Sequence, residues 1–158
     1  MKVIAFNGSA RKNGNTSILI NTVLQELQDN DIATETFNLR KTHLQGCIAC
    51  RKCFENKDQR CSVTKDALND CLEKMLEADA IILGTPTYFS DVSTEMKALI
   101  DRAGYVAKAN GGMFRRKVGA GVVAVRRAGS IHALTTLNNF FLISEMIIPG
   151  SNYWNMGI

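Results

Sequence analysis

Short apolar runs alternate with longer amphipathic ones from end to end of the chain. The runs Val3–Asn7, Thr34–Asn38, Ala80–Gly84, Val118–Val125 and Met146–Ile148 predict strands. The central ones are apolar on both faces, as a sheet covered by helices on each side requires. Between them, Thr16–Asn30, Lys65–Ala78, Ser93–Tyr105 and Ile131–Ser144 predict helices. In the second of these Leu68, Cys71, Leu72, Met75 and Leu76 fall on one stripe at the helical period. Strand and helix in alternation imply parallel strands joined by crossovers, hence an α/β three-layer sandwich around a five-stranded parallel sheet. With no internal repeat and no low-complexity linker, 158 residues predict a single domain over 1–158. After the fifth run only Pro149–Ile158 remains, too short for a closing C-terminal helix. Either the chain ends early or a partner covers that face, and Tyr153–Trp154 is read as packing on a neighbouring subunit.

Composition narrows the class of function. The 46% hydrophobic and 22% charged residues are those of a globular protein, and no apolar stretch reaches the roughly 20 residues of a bilayer span. Met1-Lys2 leads straight into a short strand without a long apolar leader, so the expectation is a cytoplasmic protein with no membrane partner. A net charge of +4, from 19 basic and 15 acidic residues, argues against a nucleic-acid partner. Arg115-Arg116-Lys117 reads as solvated surface. Five cysteines in such a compartment point to metal or redox chemistry sooner than to disulfides.

Candidate chemistry begins at the end of the first strand. Asn7-Gly8-Ser9-Ala10-Arg11-Lys12-Asn13-Gly14-Asn15-Thr16-Ser17 turns the chain from a strand into a helix, where backbone N–H groups and the helix dipole converge on an anion. The Lys-Ser/Thr pair of a triphosphate loop is missing, since Asn15-Thr16 stands in its place. The third glycine and the acidic residue of a dinucleotide fingerprint are missing too, since Asn38-Leu39-Arg40 closes the second strand. What remains suits a phosphomonoester.

The third strand ends in Gly84-Thr85-Pro86-Thr87-Tyr88-Phe89-Ser90, which offers flat aromatic surface beside exposed backbone N–H groups, as a tricyclic ring with polar edges requires. The fourth ends in Val125-Arg126-Arg127-Ala128-Gly129, at the same edge of the sheet. These loops, with Met96-Lys97 and Ile100-Asp101-Arg102 in the following helix, resemble the flavodoxin-like NAD(P)H-dependent FMN reductase superfamily. The resemblance implies a flavodoxin-like fold and FMN as cofactor. It assigns the FMN phosphate to Ser9, Arg11, Asn15, Thr16 and Ser17, the ring to Pro86, Thr87, Tyr88, Phe89 and Ser90, and the pyrimidine end to Arg126, Arg127 and Gly129.

Cys47, Cys50, Cys53 and Cys61 stand at C-x2-C-x2-C-x7-C, a spacing short enough to wrap an iron–sulfur cluster. A zinc ribbon fits less well, because Cys50 would belong to both knuckles. The motif resembles the iron–sulfur flavoprotein branch of the same superfamily. Two readings stay open: a [4Fe-4S] cluster, or a set of free or reversibly oxidised thiols. Cys71, on the apolar stripe, reads as a buried small hydrophobe. His43 and His132 lack partners at diagnostic spacing, so no catalytic acid or base is assigned.

The expected function is therefore an FMN-binding oxidoreductase that uses NAD(P)H to reduce an electron acceptor or redox protein, with no side chain as acid or base. The alternatives are a non-enzymatic carrier fed by a ferredoxin-like donor and a thiol-based redox sensor. The resemblance further implies a homo-oligomer, dimer or tetramer.

Overall fold

Side-chain parity along each strand decides which helices the sheet can hold. In the computed structural model, which describes residues 1–151, strands β1 (Lys2–Asn7), β2 (Ala33–Asn38), β3 (Ala80–Pro86) and β4 (Val118–Ala124) form a parallel sheet in the order β2-β1-β3-β4. Even positions of β1 and odd positions of β3, namely Ile4, Phe6, Ile81 and Leu83, join the larger core with helices α3 (Leu68–Glu77) and α4 (Thr94–Ala109). Their alternates Val3, Ala5, Ala80 and Ile82 pack on Ile20 and Leu24 of helix α1 (Asn15–Gln28). Helix α5 (Ser130–Ile143) covers β4, and its Leu137, Phe140 and Phe141 belong to the larger core. No helix among the described residues is long and apolar enough to cross a membrane.

Where the expectation was a five-stranded sheet, the described residues form four strands. The fifth run, Met146–Ile148, lies beside β4 but meets it at one parallel bridge, Val118 to Ile147. The bridge carries two backbone bonds, Ile147 N to Lys117 O and Gly119 N to Ile147 O, both 2.9 Å. In this register the next donor along the ladder would be residue 149, which is proline and has no N–H. The pairing therefore stops where it starts. Tyr153, Trp154 and most of the segment judged too short for a closing helix lie outside the described residues.

Proline acts differently in β3, which continues through Pro86 and two residues past the expected end at Gly84. Thr87 N donates to Ala124 O at 2.9 Å, so odd-numbered N–H groups face β4. The missing N–H of Pro86 would face β1, just past the last bond of that ladder, Gly8 N to Gly84 O at 2.8 Å, so the pairing with β1 stops there. The ladder to β4 loses no bond, and β3 continues along it.

Two further departures lie between β2 and β3. The short helix α2 (Lys52–Asn56) was not expected, and it is bounded by left-handed residues, Arg51 at φ 59° and Lys57 at φ 51°. Helix α3 starts at Leu68 and not at Lys65, because Asp66 turns inward and its Oδ1 accepts from Leu68 N at 3.3 Å.

Gly119 of β4 lies directly under the α5 helix, where a Cβ would stand 2.8 Å from Phe141 Cγ and 3.1 Å from Met146 Cε. An aromatic ring in a packed core cannot swing aside as the end of an aliphatic chain can. Gly119→Ala is expected to lower unfolding stability by about 1–3 kcal/mol in urea denaturation. An unchanged midpoint would show that Phe141 yields.

Candidate functional site

The carboxyl ends of β1, β3 and β4 lie side by side, so the loops that follow them share one edge of the sheet. Asn7, the last residue of β1 and only 2% exposed, organises the first loop. Its Oδ1 accepts from Ser9 N at 3.0 Å, and its Nδ2 donates to Ser17 Oγ at 2.9 Å and to Asn38 Oδ1 at 3.2 Å. Ser9 Oγ then accepts from Arg11 N at 3.2 Å, and Ser17 Oγ donates to Lys12 O at 3.0 Å. One side chain thus ties both ends of the turn to the neighbouring strand. Ser9 and Thr16 are buried, Ser17 is half-buried, and Arg11 and Asn15 are exposed. Gly14 is the N-cap of α1 and supplies no side-chain cap, and the first turn of that helix holds no acidic residue. The helix start is left ready for an anion.

The second loop is joined to the first directly. Tyr88 reaches across so that Ala10 N donates to its hydroxyl at 3.2 Å. Ser93 closes the second loop at the start of α4: its N donates to Thr85 Oγ1 at 2.9 Å, and its Oγ accepts from Met96 N at 3.3 Å. Gly129, at φ 96°, is where the third loop meets the second, since a Cβ there would stand 3.0 Å from Thr87 Cγ2 and 3.1 Å from Ser90 Cα. Arg126 and Arg127 are exposed on the same loop. Asp91 joins the second loop to α5: its Oδ1 accepts from Val92 N and Thr136 Oγ1, both at 2.8 Å, and its Oδ2 lies 3.4 Å from His132 Nε2. Burial would raise the Asp91 carboxyl, but these hydrogen bonds outweigh it and hold the group below its ordinary value.

A flavin phosphate and ring fit this edge on two observations. The start of α1 lacks a cap, and Thr87 Oγ1 is buried without a hydrogen-bond partner among the described residues. A buried orphan hydroxyl costs about 1–3 kcal/mol, a cost that a ligand with polar edges removes. Tyr88 and Phe89 are exposed beside it, Phe89 at 97%.

The four motif cysteines do not belong to this edge. They line a separate cavity of about 60 Å³, closed on the far side by Arg102, Tyr105 and Val106 of α4. Left-handed Ala49 (φ 53°) and Arg51 coil the chain around the cavity, and Ala49 N donates to Cys47 Sγ at 3.4 Å. Phe54 of α2 packs edge-on against Tyr105, centroids 6.2 Å apart. Among the described residues no three His, Cys, Asp or Glu side chains are gathered around one point suited to a metal ion. The four thiols line one cup without converging on a single ion, and several thiol donors on one loop are the chemistry by which iron–sulfur clusters are held. Residues 40–65 carry seven basic and two acidic side chains, so the segment that holds the four cysteines is net positive. A hydrogen bond with the Ser62 hydroxyl, 3.3 Å away, holds the Cys50 thiol below its ordinary pKa, whereas burial raises Cys53. Cys71 is buried and its thiol is pushed up to about 12, as expected of a core residue.

Sequence reasoning passed over Asn7, Asp91 and Arg102 as site-building residues. Asn7 reads as one more turn residue, and the partners of Asp91 and Arg102 lie 45 and 36 positions away in the chain, where no local spacing marks them.

Known proteins resemble this chain along most of its length. The sequence profile of the family described as NADPH-dependent FMN reductase matches residues 1–158. An iron–sulfur flavoprotein of Methanocaldococcus jannaschii is 40% identical over 154 residues, covering 96% of this chain and 77% of the relative. One of Archaeoglobus fulgidus is 36% identical over 149 residues, covering 93% and 71%. Among solved structures, a flavodoxin from the domain Archaea superposes with a TM-score of 0.63 at 15% identity, covering 96% of this chain and 80% of that one. That last likeness shows the flavodoxin-like fold.

The organising role of Asn7 is open to a direct test. Asn7→Ala removes three hydrogen bonds at a buried position and is expected to raise the FMN dissociation constant about tenfold or more, read from quenching of flavin fluorescence. Wild-type affinity in a folded Asn7→Ala protein would show that the loop holds its shape without it.

Proposed function

As a member of the NADPH-dependent FMN reductase family, the chain is an NAD(P)H-dependent FMN oxidoreductase, and we propose that its three sheet-edge loops hold FMN while its four-cysteine cup holds a [4Fe-4S] cluster. The observation that carries the flavin part is the bond from Ala10 N to the Tyr88 hydroxyl, which joins the first two loops into one cradle. Ser9, Arg11, Asn15, Thr16 and Ser17 then face the phosphate, with the uncapped start of α1 supplying backbone donors. Pro86, Thr87, Tyr88, Phe89 and Ser90 border the ring, and Arg126, Arg127 and Gly129 its pyrimidine end.

FMN bound there supplies hydride acceptance from a reduced nicotinamide and release of the electrons to an acceptor. The residues have plainer tasks. The neutral donors Ser9 and Thr16 are buried, so they satisfy the phosphate without the desolvation cost of a buried cation. Tyr88 and Phe89 keep water from the ring face, and Thr87 Oγ1 gives a hydrogen bond to a polar ring edge. No side chain has to shuttle a proton.

Support for the cluster comes from three sides: the shared cavity of Cys47, Cys50, Cys53 and Cys61, the arginines Arg51 and Arg102 that line it within a net positive segment, and the iron–sulfur flavoprotein names of the two archaeal relatives. A cubic cluster with four thiolates carries net negative charge, which these arginines offset. The physiological acceptor we propose is a redox protein or a small electron acceptor in the cytoplasm. Phe89, Tyr88 and Ile131, exposed near the cradle, favour a homo-oligomer, dimer or tetramer, that covers them.

Anaerobic purification followed by iron and flavin analysis tests the proposal. The expected result is one FMN and about four irons per chain, with the flavin band bleached on titration with NADH or NADPH. Flavin without iron would overturn the cluster, and iron with an unbleached flavin would favour an electron carrier fed by a ferredoxin-like donor.

A further inference from the structure

Arg102 is the largest fully buried side chain among the described residues, 2% exposed, and the flavin cradle does not use it. It enters from the middle of α4 and meets the cysteine loop at its neck. Nη1 donates to Gln45 O at 3.1 Å and to Asp66 Oδ2. Nη2 donates to Asp66 Oδ1 at 3.2 Å, to Val63 O at 3.4 Å and to Cys61 Sγ at 3.4 Å. Asp66, 4% exposed at its side chain, also accepts from Gln45 N at 3.2 Å. Residue 45 lies just before the first motif cysteine and residues 61–66 include and follow the last, so one guanidinium closes the loop at both ends. The backbone of Cys61 is fixed separately by Asn69, whose Oδ1 accepts from Cys61 N at 2.8 Å and whose Nδ2 donates to Cys61 O at 3.0 Å. The contact from Arg102 is thus free to act on the sulfur itself.

We propose that Arg102 is a positioning residue for the fourth cluster ligand, aiming Cys61 Sγ into the cavity by an N–H···S bond and stabilising the more negative, reduced form of the cluster with its charge. The inference rests on the cluster reading above. A fork of donors held rigid by a carboxylate can bind a sulfur at a fixed angle, which a lysine cannot do. Hydrogen bonds to cluster sulfurs and nearby charge are the protein's means of setting a cluster's potential. Burial makes both effects larger than they would be in water.

The test uses full-length protein reconstituted anaerobically with iron and sulfide and loaded with FMN. Arg102→Met alone would leave Asp66 buried and unpaired, so the removal is made as Arg102→Met with Asp66→Asn, and Arg102→Lys keeps the charge without the fork. The double variant is expected to show a cluster midpoint more negative than wild type in a dye-mediated titration, and iron release to a chelator about 10–100-fold faster. Arg102→Lys is expected to recover the midpoint in part and the slow release not at all. Asn69→Ala, which loosens the Cys61 backbone and leaves the sulfur contact, is expected to speed release without moving the midpoint. A double variant with wild-type midpoint and release rate would overturn the proposal, as would an equal midpoint shift in Asn69→Ala. Absence of iron in the wild type overturns the cluster reading itself, and iron analysis alone reports that outcome. A double variant that binds FMN with wild-type affinity yet retains no iron supports the positioning role.

Discussion

The ion pair between Arg102 and Asp66 is the contact on which both halves of the candidate chemistry depend. Burial would lower the charge on the guanidinium and raise the Asp66 carboxyl, but their mutual hydrogen bonds reverse both tendencies and keep the two groups ionised. Removing one partner of such a pair costs about 3–5 kcal/mol, since the other is left charged and buried. The pair fixes α4 against the cysteine loop, and the same helix is capped at its start by Ser93, which is bonded to Thr85 at the foot of the second sheet-edge loop. Arg102 lies nine positions after Ser93, about 14 Å of rigid helix at the usual rise. The cradle and the cup are therefore placed relative to one another by one element and not by two independent loops.

Much of the fold was legible because it depends on local periodicity. The alternation of apolar and amphipathic runs located four strands and four long helices to within a few residues, and parity along β1 and β3 then accounts for the two cores. The departures arise where a single backbone group decides. Pro149 ends the fifth pairing because the ladder needs its N–H, and Pro86 ends the pairing with β1 in the same way after the bond from Gly8 N to Gly84 O, while β3 runs on beside β4. What a proline costs a strand depends on which neighbour its missing N–H faces, and only the register tells that.

The site was legible to a similar depth and for the same reason. Loops after strand ends announce themselves through glycine, proline and hydroxyl residues in sequence, so the three segments of the cradle and the cysteine spacing were visible. What joins those segments was not. Asn7 to Asn38, Ala10 to Tyr88, Asp91 to Thr136 and Arg102 to Asp66 are bonds between distant positions, and each depends on strand order that no window of sequence contains.

The two faces of the sheet are also unequal in a way that bears on both sites. Among the described residues α3, α4 and α5 share one core with the even positions of β1, whereas the opposite face packs on α1, and Val118, Ala120 and Val122 of β4 stay half-buried there. The cup and the second and third cradle loops hang from the thicker layer; only the first loop leads into the thinner one. Stability is not uniform across such a structure, because local opening follows the density of buried apolar contact. Asn7 matters more for that reason: its bonds to Ser9, Ser17 and Asn38 fasten the start of α1 to the sheet on the side where packing alone does least.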